Sequence, residues 1–201
     1  MIFDALIIGG GVSGMQCAFV LGSAKDKAFA ARKNIGIIMH QRNSHLENAL
    51  FNNVLGLPPK TKGKDLLKQG REQLADLYPH VSQIVGEKVL AIQKNQEITT
   101  ITTNKHVYSS KLVILALNYA KPFTIKGLEE FIVPHKKSNP LKDRIQLKNT
   151  DHFIKTGLYC CGTISGVRSQ FAIAAGSGAS VATDILTLWN HGNHTKIHDK
   201  A

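Results

Sequence analysis

Apolar positions along the chain fall into two rhythms. One is the near-continuous run of a strand buried on both faces, seen at Phe3–Ile8, Ile35–Met39 and Lys111–Leu117. The other is helical spacing: Met15, Ala18, Phe19 and Leu21 after Val12, and Leu66, Leu67, Leu74 and Leu77 within Gly63–Leu77, a helix that Pro79 stops. Residues 23–33 are polar and alanine-rich, and they either extend the first helix or form a second short one. From about Val81 to Tyr108 the chain turns β-rich. Ile98–Thr103 is strand-like, Asn104-Lys105 is a hairpin turn, and a small β-meander is expected over this stretch. Residues 119–156, punctuated by Pro122, Pro134 and Pro140, read as loop and short irregular elements. A short strand then enters the Gly162 turn, and a long helix is expected from about Ser169 to Trp189. A flexible tail is expected over residues 191–201.

The first strand runs straight into Gly9-Gly10-Gly11-Val12-Ser13-Gly14, a G-x-G-x-x-G between an apolar strand and a helical pattern. Gly9 permits the tight turn, Gly11 lets the backbone approach a pyrophosphate, and Gly14 allows close packing of helix on strand. The free N–H groups and the dipole of the following helix then face a diphosphate. Strands alternating with helices behind such a motif indicate an α/β fold. The expectation is one Rossmann-like FAD/NAD(P)-binding domain over residues 1–190, a parallel sheet with helices on both faces plus the small β-meander. In such folds the end of the second strand holds the adenosine ribose, normally through Asp or Glu. Here His40 and Gln41 stand there, an imidazole and an amide that accept a hydroxyl hydrogen bond without charge. His40 reads either as that ligand or as a polar strand end.

Length and composition change this picture little. At 201 residues with 43% hydrophobic and 19% charged content, the chain is ordinary globular material with a sizeable core. No run of the ~20 apolar residues that a membrane span needs stands out, and the first strand leaves no room for a basic signal-peptide start. A cytoplasmic protein without membrane contact is expected. The net charge of +11 raises the question of nucleic acid, but no basic stripe with aromatics and no nucleic-acid module accompanies it. Nucleic acid is not expected as a partner. A lysine-rich surface explains the charge. Cys17, Cys160 and Cys161 form no extracellular disulfide framework, and no C-x-x-C occurs.

Four islands together resemble the FAD-binding half of the thioredoxin reductase group of pyridine nucleotide–disulfide oxidoreductases. Asp4–Gly14 is similar to the FAD fingerprint. Asn52-Asn53-Val54-Leu55-Gly56 resembles a segment whose Asn reaches the flavin, with Asn53 in that position. Leu112–Asn118 resembles the strand ending in Ala-Thr-Gly, with Ala116 matched and Leu117-Asn118 in place of Thr-Gly. The fourth island is Gly157–Thr163 followed by Ser169–Gly176. It resembles the closing pattern in which Gly-Asp holds the ribityl chain and a Gln-Ala pair opens a helix beneath the isoalloxazine. Gly162 matches there, Thr163 replaces the Asp, and Gln170-Phe171 opens the helix.

The resemblance implies FAD as cofactor. The contacts it implies come from Gly9, Gly11, Val12, Ser13, Gly14, His40, Gln41, Asn53, Val89, Ala116, Gly162, Thr163, Gln170 and Phe171. It also makes two omissions visible. Family reductases insert an NAD(P)H domain between the third and fourth islands, where this chain has only the 38 residues Tyr119–Thr156 and no second glycine motif. The redox dithiol of that domain is missing as well. The expected function is an FAD-binding oxidoreductase supplied with electrons from solution or from an electron-transfer partner protein. The alternative is a non-catalytic flavin-binding subunit or redox sensor that docks a partner. A homodimer is the simplest cover for the face that the missing domain leaves. No catalytic residue and no metal ligand is assigned. Cys160-Cys161 reads as strand packing rather than as a vicinal disulfide, because free Cys on an apolar strand behaves as a small hydrophobe.

Overall fold

The computed structural model describes residues 2–40 and 46–198. Strand β1 (Ile2–Ile8) is buried from Phe3 onward, and β2 (Ile35–Met39) is buried throughout, as their unbroken apolar runs require. Between them lies helix α1 (Val12–Ser23). The polar stretch after it folds as successive turns rather than as more helix. A two-stranded clip, β3 (Leu50–Phe51) with β4 (Thr61–Lys62), leads into helix α2 (Gly63–Leu77) and strand β5 (Val81–Val85). Then come β6 (Val89–Asn95), β7 (Ile98–Thr103) and β8 (Val107–Leu115). Residues 119–156 carry the small antiparallel pair β9 (Ile132–Pro134) and β10 (Ile145–Leu147), then β11 (Phe153–Lys155). Strand β12 (Leu158–Cys160) and helix α3 (Phe171–Trp189) close the fold.

The main sheet runs β11-β12-β8-β1-β2-β5. Its five strands β12, β8, β1, β2 and β5 are mutually parallel, with Ile7 opposite Ile37 on one side and Ile114 on the other. Strand β8 serves two layers. Its first residues pair antiparallel with β7, and its later residues enter the parallel sheet. Two expectations need correction. Val81–Val85 belongs to the parallel sheet beside β2, so the meander is β6, β7 and the start of β8. A lone strand after a helix looks the same in sequence whichever neighbour it pairs with. The helices, moreover, do not cover both faces.

All three α-helices contribute to one core, in which Ala18 and Leu21 of α1, Leu74 of α2 and Val181 and Ile185 of α3 meet Ala5, Ile7, Ile37 and Ile114 of the sheet. The opposite face is closed by Val89, Ile92 and Ile101 of the meander, with Ile125, Leu128, Ile145 and Leu147, against Leu6, Ile8, Val113 and Leu115. The chain from β6 to β7 returns by a hairpin, and its alternating apolar residues cover this face of the sheet, as the expected meander, in place of helices. Helix α3 also corrects the reading that no apolar run suits a membrane: its 19 residues are long and apolar enough by composition. In the fold one face of it packs into the core, with Val181, Ala182, Ile185 and Leu186 buried. Beyond it the chain folds back, Thr195 being buried and hydrogen-bonded to Asn190 at 3.1 Å.

Candidate functional site

Parallel sheets gather chemistry at the carboxyl ends of their strands, where successive crossovers diverge. Here β1 connects away toward β2 while β8 lies on its other side, and a groove of about 600 Å³ opens across these strand ends. Its floor is built from backbone. Gly9 turns the chain at φ +117°, and its N–H donates to the Ile38 carbonyl at 2.9 Å. A Cβ at Gly9 would strike the Ala116 carbonyl, and one at Gly14 would strike the Gly9 carbonyl. Helix α1 starts from Gly11 with no side-chain cap and no acidic residue in its first turn, so its leading N–H groups face the groove without a side-chain acceptor.

The groove lining includes Gly9, Gly11, Val12, Ser13, His40, Val89, Ala116, Thr163, Gln170 and Phe171. Gly14 and Gly162 stand behind it: a Cβ on Gly14 would crowd Ala116, and one on Gly162 would strike the Ser13 hydroxyl. The Gly162 N–H donates to the Ser177 hydroxyl at 2.9 Å, which ties β12 to α3 beneath the groove. Asn53 is exposed and outside the lining. Phe51 takes that wall instead, its ring 5.1 Å from that of Phe171. Gln41 lies outside the described residues.

Sequence reasoning missed three parts of the wall. The first is Glu87, which lines the groove with Lys88 and is only 5% exposed. Its carboxylate accepts from the Thr103 hydroxyl at 2.7 Å, from His106 Nδ1 at 2.8 Å and from the Tyr108 hydroxyl at 3.0 Å. Burial pushes its pKa up, but these three hydrogen bonds outweigh burial and hold the carboxyl below its usual range. The second is Tyr119-Ala120 with Pro122–Ile125, part of a stretch that reads as loop and short irregular elements. The third is an aromatic and cationic stack behind that run. Tyr119 has the His135 ring 5.3 Å away and the Arg144 guanidinium 5.0 Å from its ring. His135 Nδ1 accepts from the Lys137 N–H at 3.1 Å, so the proton sits on Nε2 and is donated to the Thr163 carbonyl at 3.0 Å. A lone Glu before a strand and a lone His in a loop carry no periodicity that would flag them.

The cysteines are packing residues. Cys17, Cys160 and Cys161 are free and buried. Burial raises all three thiols, Cys161 to about 12 despite a hydrogen bond with Ser13. Thiolate chemistry needs the opposite environment.

No protein-family profile matches the chain. In sequence it is similar to the ferredoxin–NADP reductase of Levilactobacillus brevis, 31% identical over 133 residues, which cover 63% of this chain and 38% of that protein. It is similar also to ferredoxin–NADP reductase 1 of Bacillus pumilus, 26% identical over 164 residues, covering 79% of this chain and 40% of that one. The chain thus matches about two-fifths of the length of these relatives. Among solved structures, a thioredoxin reductase from Gloeobacter violaceus superposes with a TM-score of 0.71 at 13% identity, covering 100% of this chain and 99% of that one. The fold is that of the thioredoxin reductases. A ferredoxin-flavin thioredoxin reductase from Clostridium acetobutylicum shares it, with a TM-score of 0.67 at 17% identity over 94% of this chain and 99% of that one. In this thioredoxin reductase fold the parallel sheet, the glycine turn and the groove at the strand ends form a single unit.

Proposed function

We propose that the groove holds FAD and that the protein is a flavin-dependent oxidoreductase whose electrons come from solution or from a partner protein. The observation that carries this reading is the backbone cradle. The Gly9 turn, the uncapped first turn of α1 and the closely packed Ala116 present backbone N–H groups suited to a diphosphate. The groove volume of about 600 Å³ lies within the range of cofactor sites. The amides of Val12 and Ser13 would bind the diphosphate. His40 would accept from a ribose hydroxyl, and the Val89 backbone would border the adenine. Thr163, whose hydroxyl donates to the Leu117 carbonyl at 3.5 Å, offers the ribityl chain a neutral partner. Gln170 precedes α3 without a side-chain cap, so the helix N-terminus would favour negative charge at the flavin end. A bound flavin supplies acceptance or donation of a hydride or of single electrons.

The named reductases among the relatives favour an electron-transfer protein as partner, in keeping with the excess positive charge of this chain. A homodimer in the cytoplasm completes the proposal. Exposed Leu50, Leu55 and Ile173 supply apolar surface for such contacts. A second reading, a flavin-binding subunit without turnover, is favoured by the short 119–156 segment, which lacks a second nucleotide-binding motif.

Purified protein tests both readings. A flavin absorption spectrum with FAD released on denaturation, followed by bleaching with NADH or NADPH at a turnover-competent rate, supports the enzyme. Stable FAD that bleaches only with dithionite supports the subunit. A colourless protein that added FAD leaves unchanged rejects both.

A further inference from the structure

Two residues of the groove wall, Tyr119 and Thr163, rest against one side chain that is not itself part of the lining. His135 follows β9 and is only 8% exposed. Its Nε2 donates to the Thr163 carbonyl at 3.0 Å, and its ring centre lies 5.3 Å from that of Tyr119. Its Nδ1 accepts from the Lys137 N–H at 3.1 Å. The turn that carries this N–H is tied on both sides. The Lys136 N–H donates to Gln146 Oε1 at 2.8 Å, and the Ser138 N–H to the His135 carbonyl at 3.4 Å. The other donor to the Thr163 carbonyl, the Gly166 N–H at 3.0 Å, only closes the Gly162–Ser165 turn on itself. His135 is what ties that carbonyl to the β9–β10 unit.

This geometry accommodates one protonation state. The neutral ring with its proton on Nε2 donates toward Thr163 and accepts from Lys137. The imidazolium donates at both nitrogens and would set an N–H against the Lys137 N–H. No carboxylate among the described residues lies within ion-pair distance of His135 to offset the added charge. The charged groups around the ring are cations: Lys136 and Lys137 beside it in the chain, and Arg144, whose guanidinium is 5.0 Å from the Tyr119 ring. Strand β10 and the Gly162–Ser165 turn carry no titratable side chain.

We propose that His135 is a positioning residue of the flavin site, which in its neutral form holds Thr163 and Tyr119 where they receive the cofactor, and that the site loosens when this one ring takes up a proton. The inference rests on the reading of the groove as an FAD site and adds to it a residue that touches no cofactor. Cofactor and proton oppose each other, so affinity is full with His135 neutral and declines on acidification.

The test is calorimetric titration of the cofactor-stripped full chain with FAD from about pH 5.5 to 8, within the range where imidazoles change charge. Wild type is expected to lose affinity toward acid by up to about tenfold per pH unit, the limit for one linked proton. His135→Gln keeps a donor for the Thr163 carbonyl and cannot titrate. It should bind FAD within about threefold of wild type at pH 8 and lose the acid decline. His135→Phe keeps a ring but removes both hydrogen bonds, and should bind about tenfold more weakly at pH 8 with a flat profile. If that variant does not fold, the Gln variant decides alone. His40 also lines the groove and titrates in the same range, so His40→Gln is the control, and its profile should keep the acid decline. A decline that persists in His135→Gln, or that vanishes in His40→Gln, overturns the proposal and leaves the FAD site standing. So does a folded His135→Phe that binds as wild type does at every pH. Wild type that takes up no FAD at pH 8 overturns the cofactor reading and this inference together.

Discussion

The two faces of the sheet are closed by different means. On the helical face, contact is close because side chains are missing. Residue 178 of α3 is a glycine whose Cβ would strike the Ser13 carbonyl of α1, and Gly14 lies against the Gly9 carbonyl. On the meander face, larger apolar side chains fill the space, and a cluster of hydrogen-bonded polar side chains closes its edge. Glu87, Thr103, His106 and Tyr108 form one hydrogen-bonded group at the base of the hairpin. The first face is intolerant of added volume, and the second is intolerant of lost partners. The groove lies between them and takes its floor from one and part of its wall, Glu87 and Val89, from the other.

The largest effect should come from adding volume to the helical face. Gly178→Val is expected to cost about 3 kcal/mol, because backbone of α1 and not a flexible side chain must move. Urea unfolding checks this, and a cost under half that size would mean that the two helices slide apart freely.

Removing the acceptor on the other face should cost less. Glu87→Gln loses a charged acceptor shared by three donors and is expected to destabilise by about 2 kcal/mol. The same carboxylate sets a pH dependence. Its folded pKa is depressed, as is that of Asp4, for which burial opposes but the Asn34 N–H, Lys111 and Lys33 prevail. The stability contributed by these two groups is therefore complete above the unfolded carboxylate pKa and is lost as pH falls through the folded values. Wild type should lose Tm on acidification, and Glu87→Gln should lose less over the same interval. Parallel curves for the two proteins would remove Glu87 from the account.

The smallest effect is a predicted silence. With all three thiols buried and raised, a thiol reagent at pH 8 should leave the native protein unlabelled and modify three cysteines once it is unfolded. Labelling of Cys160 or Cys161 in the native state would show that the sheet end beside the groove opens.

The helical face was the more legible in sequence. Its strands are continuous apolar runs, α2 has the bounds Gly63–Leu77 that its spacing and Pro79 imply, and the glycine turn announces where strand and helix meet. Ten of the residues singled out from sequence line a single groove, which follows from local chemistry: a turn that only glycine fits must recur wherever the backbone is to meet a ligand. Asn53 shows the limit. The resemblance placed it by position along a loop, whereas the β3–β4 clip turns Phe51 inward toward Phe171 and leaves Asn53 in solvent.

By itself the sequence determined the periodic elements and the order of strand, glycine turn and helix. Each of these rests on interactions between residues close in the chain. Only the tertiary structure decided that Val81–Val85 extends the parallel sheet, that the meander alone and no helix covers the second face, and that α3 packs one face into the core. It alone brought Glu87 to Thr103, His106 and Tyr108, and His135 to the Thr163 carbonyl. Those pairings join residues that carry no shared period. They are selected by the cost of leaving a buried polar group alone, and that cost exists only after the chain has folded around it.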